Sequence, residues 1–231
     1  MTWTTGPLVA FDTETTGLDV ETDRIVTAAL VVREPAGTTV RTWLLDPGVE
    51  IPAEATAIHG IATSHAAAYG ASPRGALEEI ASSLVAHQRA GVPLVAYNAA
   101  FDLTLLDVEL ARHGLPTLPE RLGRPVRPVL DPLVLDRDSD AARDGKRRLA
   151  DLCAHYGVAT PSPLHAAEVD ALATLDLLDA LARVHPHLAA TTLDALHDHQ
   201  VGAHRRWVDE LEDGERERPY VGAGADGRWP V

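Results

Sequence analysis

Two acidic residues, Asp12 and Glu14, follow the apolar run 8–11 near the start of the chain. A short apolar run predicts a buried strand. Because side chains alternate along a strand, the two carboxylates point to one face about 7 Å apart. Buried carboxylates at this spacing repel each other and lose hydration, and a divalent cation offsets both effects. The pair predicts a metal site, with two solvated acids in a turn as the alternative.

Two later segments hold residues of the same chemical types. Asp102 falls in the first turn of a helix that follows the apolar run 92–97, where the helix dipole alone would favour an acid. His165 stands just before or at the start of another helix, and Asp170 lies one turn further along. Glu168 is two residues from Asp170 and cannot share its helix face. Each segment alone is also compatible with capping or packing.

Taken together, the segments resemble motifs I, II and III of the DEDDh exonucleases. This family includes the proofreading epsilon subunit of bacterial DNA polymerase III, RNase T and oligoribonuclease. The matching segments are 12–17 (DTETTG), 98–102 (NAAFD) and His165-x4-Asp170, with 57–61 (AIHGI) as a further similar loop. The resemblance covers residues 6–184 and implies a ribonuclease H-like fold.

The resemblance also implies a reaction, the hydrolysis of the terminal phosphodiester at a 3′ end with release of nucleoside 5′-monophosphates. Two divalent ions, Mg²⁺ or Mn²⁺, would be bound by the four acids Asp12, Glu14, Asp102 and Asp170. His165 would take the proton from the attacking water, a role for which an ordinary imidazole pKa near ~6.5 is suited. The residues implied to bind substrate are Thr15, Thr16, Gly17, Leu18, His59, Asn98 and Phe101.

Tyr97 departs from the family pattern, which commonly has His before the Asn of motif II. Because this position is not a metal ligand, we expect altered hydrogen bonding around the site rather than lost chemistry. The basic run 146–148 precedes a helix near motif III and would bind phosphates, with a solvent-exposed helix start as an equal alternative. Asp131 is interpreted as a helix N-cap. His197 and His199 are interpreted as solvent-exposed histidines rather than metal ligands.

The elements that must position these residues follow the order βββ-α-β-α-β-α, which predicts a mixed five-stranded sheet with helices on its faces. The first three strands are expected to form an antiparallel meander, and Pro128 suits the edge of the sheet or the end of a strand. The predicted strands are 8–11, 25–32, 38–45, 92–97 and 126–130. We assign 1–190 to the exonuclease domain and 191–231 to a C-terminal helical appendage that ends in a flexible tail from Gly214.

Composition limits the setting and the partners. Of 231 residues, 45% are hydrophobic, and the single cysteine, Cys153, excludes an internal disulfide. No apolar run approaches the ~18–20 residues of a membrane span, and no secretory signal is evident, so a cytoplasmic protein without a membrane partner is expected.

The formal charge of −14 argues against a phosphate-rich partner. Residues 121–148 nevertheless contain eight basic and five acidic residues, so the charge is unevenly placed. The expected partner is the 3′ end of single-stranded nucleic acid, with DNA favoured over RNA, within a polymerase or repair complex. The alternatives are an exoribonuclease or oligoribonuclease with the same site, and an inactive nucleic-acid-binding module on this fold.

Overall fold

The computed structural model describes residues 3–160, 164–212, 223–224 and 227–231. Five strands form one mixed sheet. They are β1 Leu8–Thr15, β2 Ile25–Glu34, β3 Gly37–Leu44, β4 Leu94–Val95 and β5 Val129–Leu130. The strand order is β3-β2-β1-β4-β5, with β1, β2 and β3 antiparallel and β4 and β5 parallel to β1. The predicted mixed sheet, its antiparallel meander and the edge position of the fifth strand are confirmed.

The two parallel strands are shorter than predicted. β4 and β5 each have two residues, whereas 92–97 and 126–130 were expected. Pro93 and Pro128 have no backbone N–H to give to a ladder. After β4 the chain leaves the extended conformation at Asn98, whose φ is 61°. The early end of β4 leaves the last residues of β1 without a neighbour on that side.

Helices cover both faces of the sheet. In the described residues they are α1 Ala53–His59, α2 Thr63–Tyr69, α3 Pro73–Arg89, α4 Ala99–Arg112, α5 Leu118–Leu122, α6 Pro132–Ser139, α7 Leu149–His155, α8 Ala167–Val184, α9 Pro186–Ala190 and α10 Leu193–Glu212. None of these helices is long and apolar enough to cross a membrane.

The side chains of β1 alternate between two apolar layers. Val9 and Phe11 pack in the layer that contains residues of α3 and α4. Leu8 and Ala10 pack in the other layer, which contains residues of α7 and α8. The alternation sends the even-numbered residues that follow toward α8 and the odd-numbered ones toward α4. The sheet itself therefore decides which helix each polar residue of β1 faces.

Helix α10 lies against the edge strand β5. The Val129 N–H donates to Nδ1 of His197 at 3.1 Å, and Nε2 of Gln200 donates to the Val129 carbonyl at 3.0 Å. Both side chains are buried. The interpretation of His197 as solvent-exposed is therefore wrong. Its ring is buried because it accepts a hydrogen bond from a backbone N–H that would otherwise be unpaired at the sheet edge.

The end of the chain also contacts this edge. Trp229 is buried, and its indole N–H donates to Oδ2 of Asp131 at 3.4 Å. The predicted flexible tail falls mainly on 213–222 and 225–226, which lie outside the described residues. The division of the chain at residue 190 remains a prediction.

Candidate active site

Asp12 and Glu14 lie on the face of β1 that is covered by α8. β1 continues to Thr15 and pairs with β2 over its whole length, so the two acids lie within a strand and not after its end. The parallel pairing with β4 stops at Ala10, opposite Val95. Asp12 and Glu14 therefore lie beyond the last residue of β1 that pairs with β4. Because β4 does not extend along this part of β1, residues of both α4 and α8 can approach the two acids.

Glu14, His165 and Asp170 form a compact group. One ligand atom from each lies within 4.8 Å of the other two. His165 precedes α8 and has a φ of 92°, a conformation that non-glycine residues rarely adopt. Its backbone N–H donates to Oδ1 of Asp170 at 3.0 Å. Asp170 thus helps to hold the backbone of the histidine beside Glu14.

Asp102 approaches from the opposite layer. It lies in the first turn of α4, as predicted, and is 4% exposed. The Thr13 hydroxyl, which faces α4, donates to Oδ1 of Asp102 at 2.6 Å. Asp102 and Asp12 are not members of the 4.8 Å group, but the charge of Asp102 raises the pKa of Asp12. The structure therefore brings the four acids and the histidine into one region, with Asp102 beside the central group.

The carboxylates destabilise one another. Burial raises the pKa of Glu14 to about 7, and the charges of Asp170 and Asp102 add to this effect. Burial likewise raises the pKa of Asp102 to about 7, although its hydrogen bonds with Thr13 oppose the change. The pKa values of Asp12 and Asp170 are also raised, mainly by burial. Sequence reasoning gave Glu168 no role, yet its charge raises the pKa of Asp12, Glu14 and Asp170.

This donor set fits divalent cations. Carboxylate oxygens are the ligands that Mg²⁺ and Mn²⁺ prefer. A bound cation would offset the repulsion and desolvation that raise the carboxyl pKa values. Glu14 and Asp170 are suited to one ion, with the His165 imidazole beside it, and Asp12 with Asp102 extends the oxygen-rich region.

Asp131 positions the helix that presents Asp102. Its carboxylate accepts hydrogen bonds from the Asn98 and Ala99 N–H groups at 3.0 and 2.9 Å, at the start of α4. It also accepts from the Leu133 N–H at 2.9 Å, which confirms its predicted N-cap role at α6. One buried carboxylate therefore caps two helices. The sequence indicated only the second cap, because the first joins residues more than thirty positions apart.

The loop after β1 contains four of the residues expected to bind substrate. The Thr15 hydroxyl donates to the Gly17 carbonyl at 2.5 Å, and the Thr16 hydroxyl donates to Oδ1 of Asp23 at 2.7 Å. The backbone of Gly17 passes so close to Asp23 that a Cβ would lie 2.4 Å from its Oδ2. Leu18 at the tip is 82% exposed. The loop is therefore held by its own hydrogen bonds, and the apolar side chain of Leu18 is exposed to solvent.

His59 lies at the site, in a cavity of about 220 Å³ that Glu14, His165 and Glu168 also line. Its Nδ1 accepts a hydrogen bond from the Ile61 N–H at 3.1 Å, and burial lowers its pKa. Asn98 and Phe101 lie at the start of α4, within one turn of Asp102, and both are half-buried. The substrate contacts of these three residues remain predictions.

Three comparisons relate the chain to known nucleases. A family model described as exonuclease matches residues 9–178, which include all five site residues. An uncharacterised exonuclease of Escherichia phage 186 is 31% identical over 190 residues, which cover 78% of this chain and 91% of the phage protein. A DNA polymerase III subunit epsilon-like protein of Rhodobacter capsulatus is 35% identical over 192 residues, 80% of this chain and 24% of that protein. The PolC-type DNA polymerase III of Streptococcus thermophilus is 34% identical over 175 residues, 74% of this chain but only 11% of the polymerase.

Solved structures share the same fold. Escherichia coli exonuclease I in complex with a dA16 oligonucleotide matches with a TM-score of 0.68 at 18% identity, over 90% of this chain and 45% of that chain. Exonuclease X in complex with 5′ overhanging duplex DNA matches with a TM-score of 0.59 at 22% identity, over 84% of this chain and 99% of that chain. At these identities the likeness establishes the fold, and it confirms the expected ribonuclease H-like sheet flanked by helices.

Proposed function

We propose that this chain, which belongs to the exonuclease family, is a 3′–5′ exonuclease that releases nucleoside 5′-monophosphates from the 3′ end of single-stranded DNA. The observation that supports the proposal is the group of Glu14, His165 and Asp170, with one half-buried and one buried carboxylate beside it. Asp12 and Asp102 complete the set of five residues.

Two divalent ions, Mg²⁺ or Mn²⁺, would supply the positive charge that stabilises the phosphate oxygens during an in-line displacement. Asp12, Glu14, Asp102 and Asp170 would hold them. Thr13 orients the Asp102 carboxylate through its hydroxyl, and Asp131 fixes the start of α4. The protein's own contribution is thus a set of carboxylates that is in place before substrate arrives.

His165 acts as the general base in this proposal. Its imidazole takes a proton from the attacking water while the water oxygen bonds to phosphorus and the P–O3′ bond breaks, and the departing O3′ takes up a proton from solvent. The hydrogen bond from the His165 N–H to Asp170 links the position of the base to that of a metal ligand. The histidine is exposed, so the imidazole can pass the proton on to solvent.

The terminal nucleotide would lie against the loop after β1. Leu18 offers an apolar contact to its base, and the braced backbone at 15–17 can approach the sugar and phosphate closely. Gly17 has no side chain, which lets its backbone pack against Asp23. His59, Asn98 and Phe101 would line the remaining sides.

DNA is favoured as substrate because the similar solved structures are named as complexes with DNA oligonucleotides or overhanging duplex DNA. The polymerase relatives favour a proofreading or repair complex as the setting.

The test is a digestion assay with 5′-labelled single-stranded DNA and RNA of equal sequence, in Mg²⁺ or Mn²⁺. The expected result is a ladder that shortens from the 3′ end, faster on DNA, which a 3′-terminal phosphorothioate slows. Asp12→Ala should give no ladder. If neither the wild type nor Asp12→Ala shortens the DNA or RNA, the remaining alternative is an inactive nucleic-acid-binding module. A faster reaction on RNA than on DNA would identify an exoribonuclease.

A further inference from the structure

A basic loop leads into α7, and Ala150 of α7 lines one cavity together with His165 of the acidic site. We use this name for residues 143–148, which contain Arg143, Lys146, Arg147, Arg148 and one carboxylate, Asp144. The rest of the chain is acidic overall, so a local excess of positive charge is unusual here. Lys146 and Arg148 are exposed, and neither forms an ion pair with another described residue.

The basic loop is anchored through Asp136, whose side chain has no solvent exposure. Nε of Arg147 donates to Oδ2 of Asp136 at 2.6 Å, and a terminal nitrogen of Arg143 lies 3.6 Å from the same oxygen. The Tyr156 hydroxyl donates to Oδ1 at 2.9 Å. One carboxylate therefore faces two guanidinium groups, which leaves the anchored loop positively charged. With Arg147 turned inward, its exposed neighbours Lys146 and Arg148 project outward.

Tyr97 joins the basic loop to the site. Its hydroxyl donates to the Arg147 carbonyl at 2.6 Å. Tyr97 follows β4 by two residues and packs in the same apolar layer as Ala10 and residues of α7 and α8. This layer covers the face of β1 that carries Asp12 and Glu14. The Tyr97 side chain therefore joins the backbone of the basic loop to this side of the sheet.

We propose that Lys146 and Arg148 bind backbone phosphates of the single strand whose 3′ end lies in the site. This inference rests on the proposed function and identifies a surface that guides the strand toward the active site. Phosphodiesters are anionic, so the acidic surface repels them while the basic loop attracts them. Arg148 can donate two parallel N–H groups to one phosphate, and Lys146 acts as a point charge.

Binding measurements test the two cations. A catalytically disabled Glu14→Gln protein is titrated with a fluorescent single-stranded oligonucleotide over a range of salt concentrations. Arg148→Ala in this background should weaken binding about tenfold, and it should reduce the slope of log K against log salt by about 0.7, the value of one phosphate contact on a single strand. Arg183→Ala is the matched control, since Arg183 is exposed in the last turn of α8, about 20 Å along the helix from Asp170. An equal effect of the two substitutions would overturn the proposal.

Lys146 allows a direct chemical test, because it is the only lysine in the chain. An oligonucleotide with an aldehyde-bearing abasic site a few nucleotides from its 3′ end forms an imine with a nearby amine, and cyanoborohydride reduces it to a stable link. The expected product is cross-linked at Lys146 by peptide mapping, and Lys146→Arg should lose it while binding is retained. Cross-linking that persists in Lys146→Arg, through the N-terminal amine, would refute the placement of the strand.

Different results would exclude the exonuclease activity and the role of the basic loop. If the Glu14→Gln protein does not bind single-stranded DNA or RNA at all, the proposed function fails. If it binds with the same affinity and salt slope after Arg148→Ala, and forms no Lys146 link, only the basic loop is excluded as the strand's path.

Discussion

Glu14→Gln should stabilise the metal-free protein above neutral pH. In the fold the pKa of Glu14 is raised from 4.5 to about 7, first by burial and then by the charges of Asp170 and Asp102. The folded state therefore binds more protons than the unfolded state between these two values. The corresponding stability is present below pH 4.5 and is lost as the pH rises toward 7. A glutamine has no charge to desolvate, so the variant does not lose this stability as the pH rises.

The size of the effect follows from the displaced pKa. At about 1.4 kcal/mol per pH unit, a fully buried carboxylate displaced from 4.5 to about 7 would cost about 3 to 4 kcal/mol at pH 8. Glu14 is only partly buried, so solvent screening reduces the expected gain to about 2 kcal/mol. For a chain of this length that corresponds to about 4–8 °C in Tm.

The assay is thermal and urea unfolding in EDTA at pH 5 and pH 8. The variant should exceed the wild type at pH 8 and differ little at pH 5. Mg²⁺ at pH 8 should then raise the Tm of the wild type more than that of the variant, because the ion neutralises the charge that the variant lacks. Glu34→Gln, at the exposed far end of β2, is the matched control and should change nothing. A Glu14→Gln protein no more stable than wild type at pH 8 would refute the reasoning.

Three further substitutions probe the base, the sheet edge and the basic loop. His165→Ala should lower kcat by about 10²–10⁴-fold while Mg²⁺ still raises the Tm, and a full rate in this variant would exclude His165 as the base. Gln200→Leu should lower the free energy of unfolding by about 2–4 kcal/mol, because it leaves buried backbone groups of Val129 and Asp131 without partners; unchanged urea unfolding would contradict this. Tyr97→Phe should raise KM for single-stranded DNA and leave kcat nearly unchanged, since the hydroxyl holds the basic loop and no metal; a change confined to kcat would argue against that role.

Local pattern was enough to predict much of this protein. The alternation of apolar and polar residues along β1 determines that Asp12 and Glu14 share a face, since a strand has a period of two wherever it lies. Helix position likewise follows from short-range signals, and Asp102 does fall in the first turn of α4. The order of the motifs identified the family, which the matching family model confirms.

Long-range contacts could not be predicted in this way. The interpretation of His197 as exposed failed because nothing local shows that α10 packs on β5, where the ring meets the Val129 N–H. The double capping role of Asp131 and the charge effect of Glu168 were missed for the same reason. Each of these three features depends on a contact between segments that are distant in the sequence. Such contacts follow from the packing of the whole chain.

The sequence by itself determined which residues have the chemistry of a metal-dependent nuclease and which of them are neighbours on one element. Only the tertiary structure decided that Asp102 reaches the site from the opposite layer through Thr13. It also decided that Tyr97 binds the basic loop from the side of the sheet that carries Asp12. The physical reason is one of range. Strand alternation and helical periodicity act over a few residues, whereas desolvation, charge repulsion and hydrogen bonding depend on distance in space, which the fold alone determines.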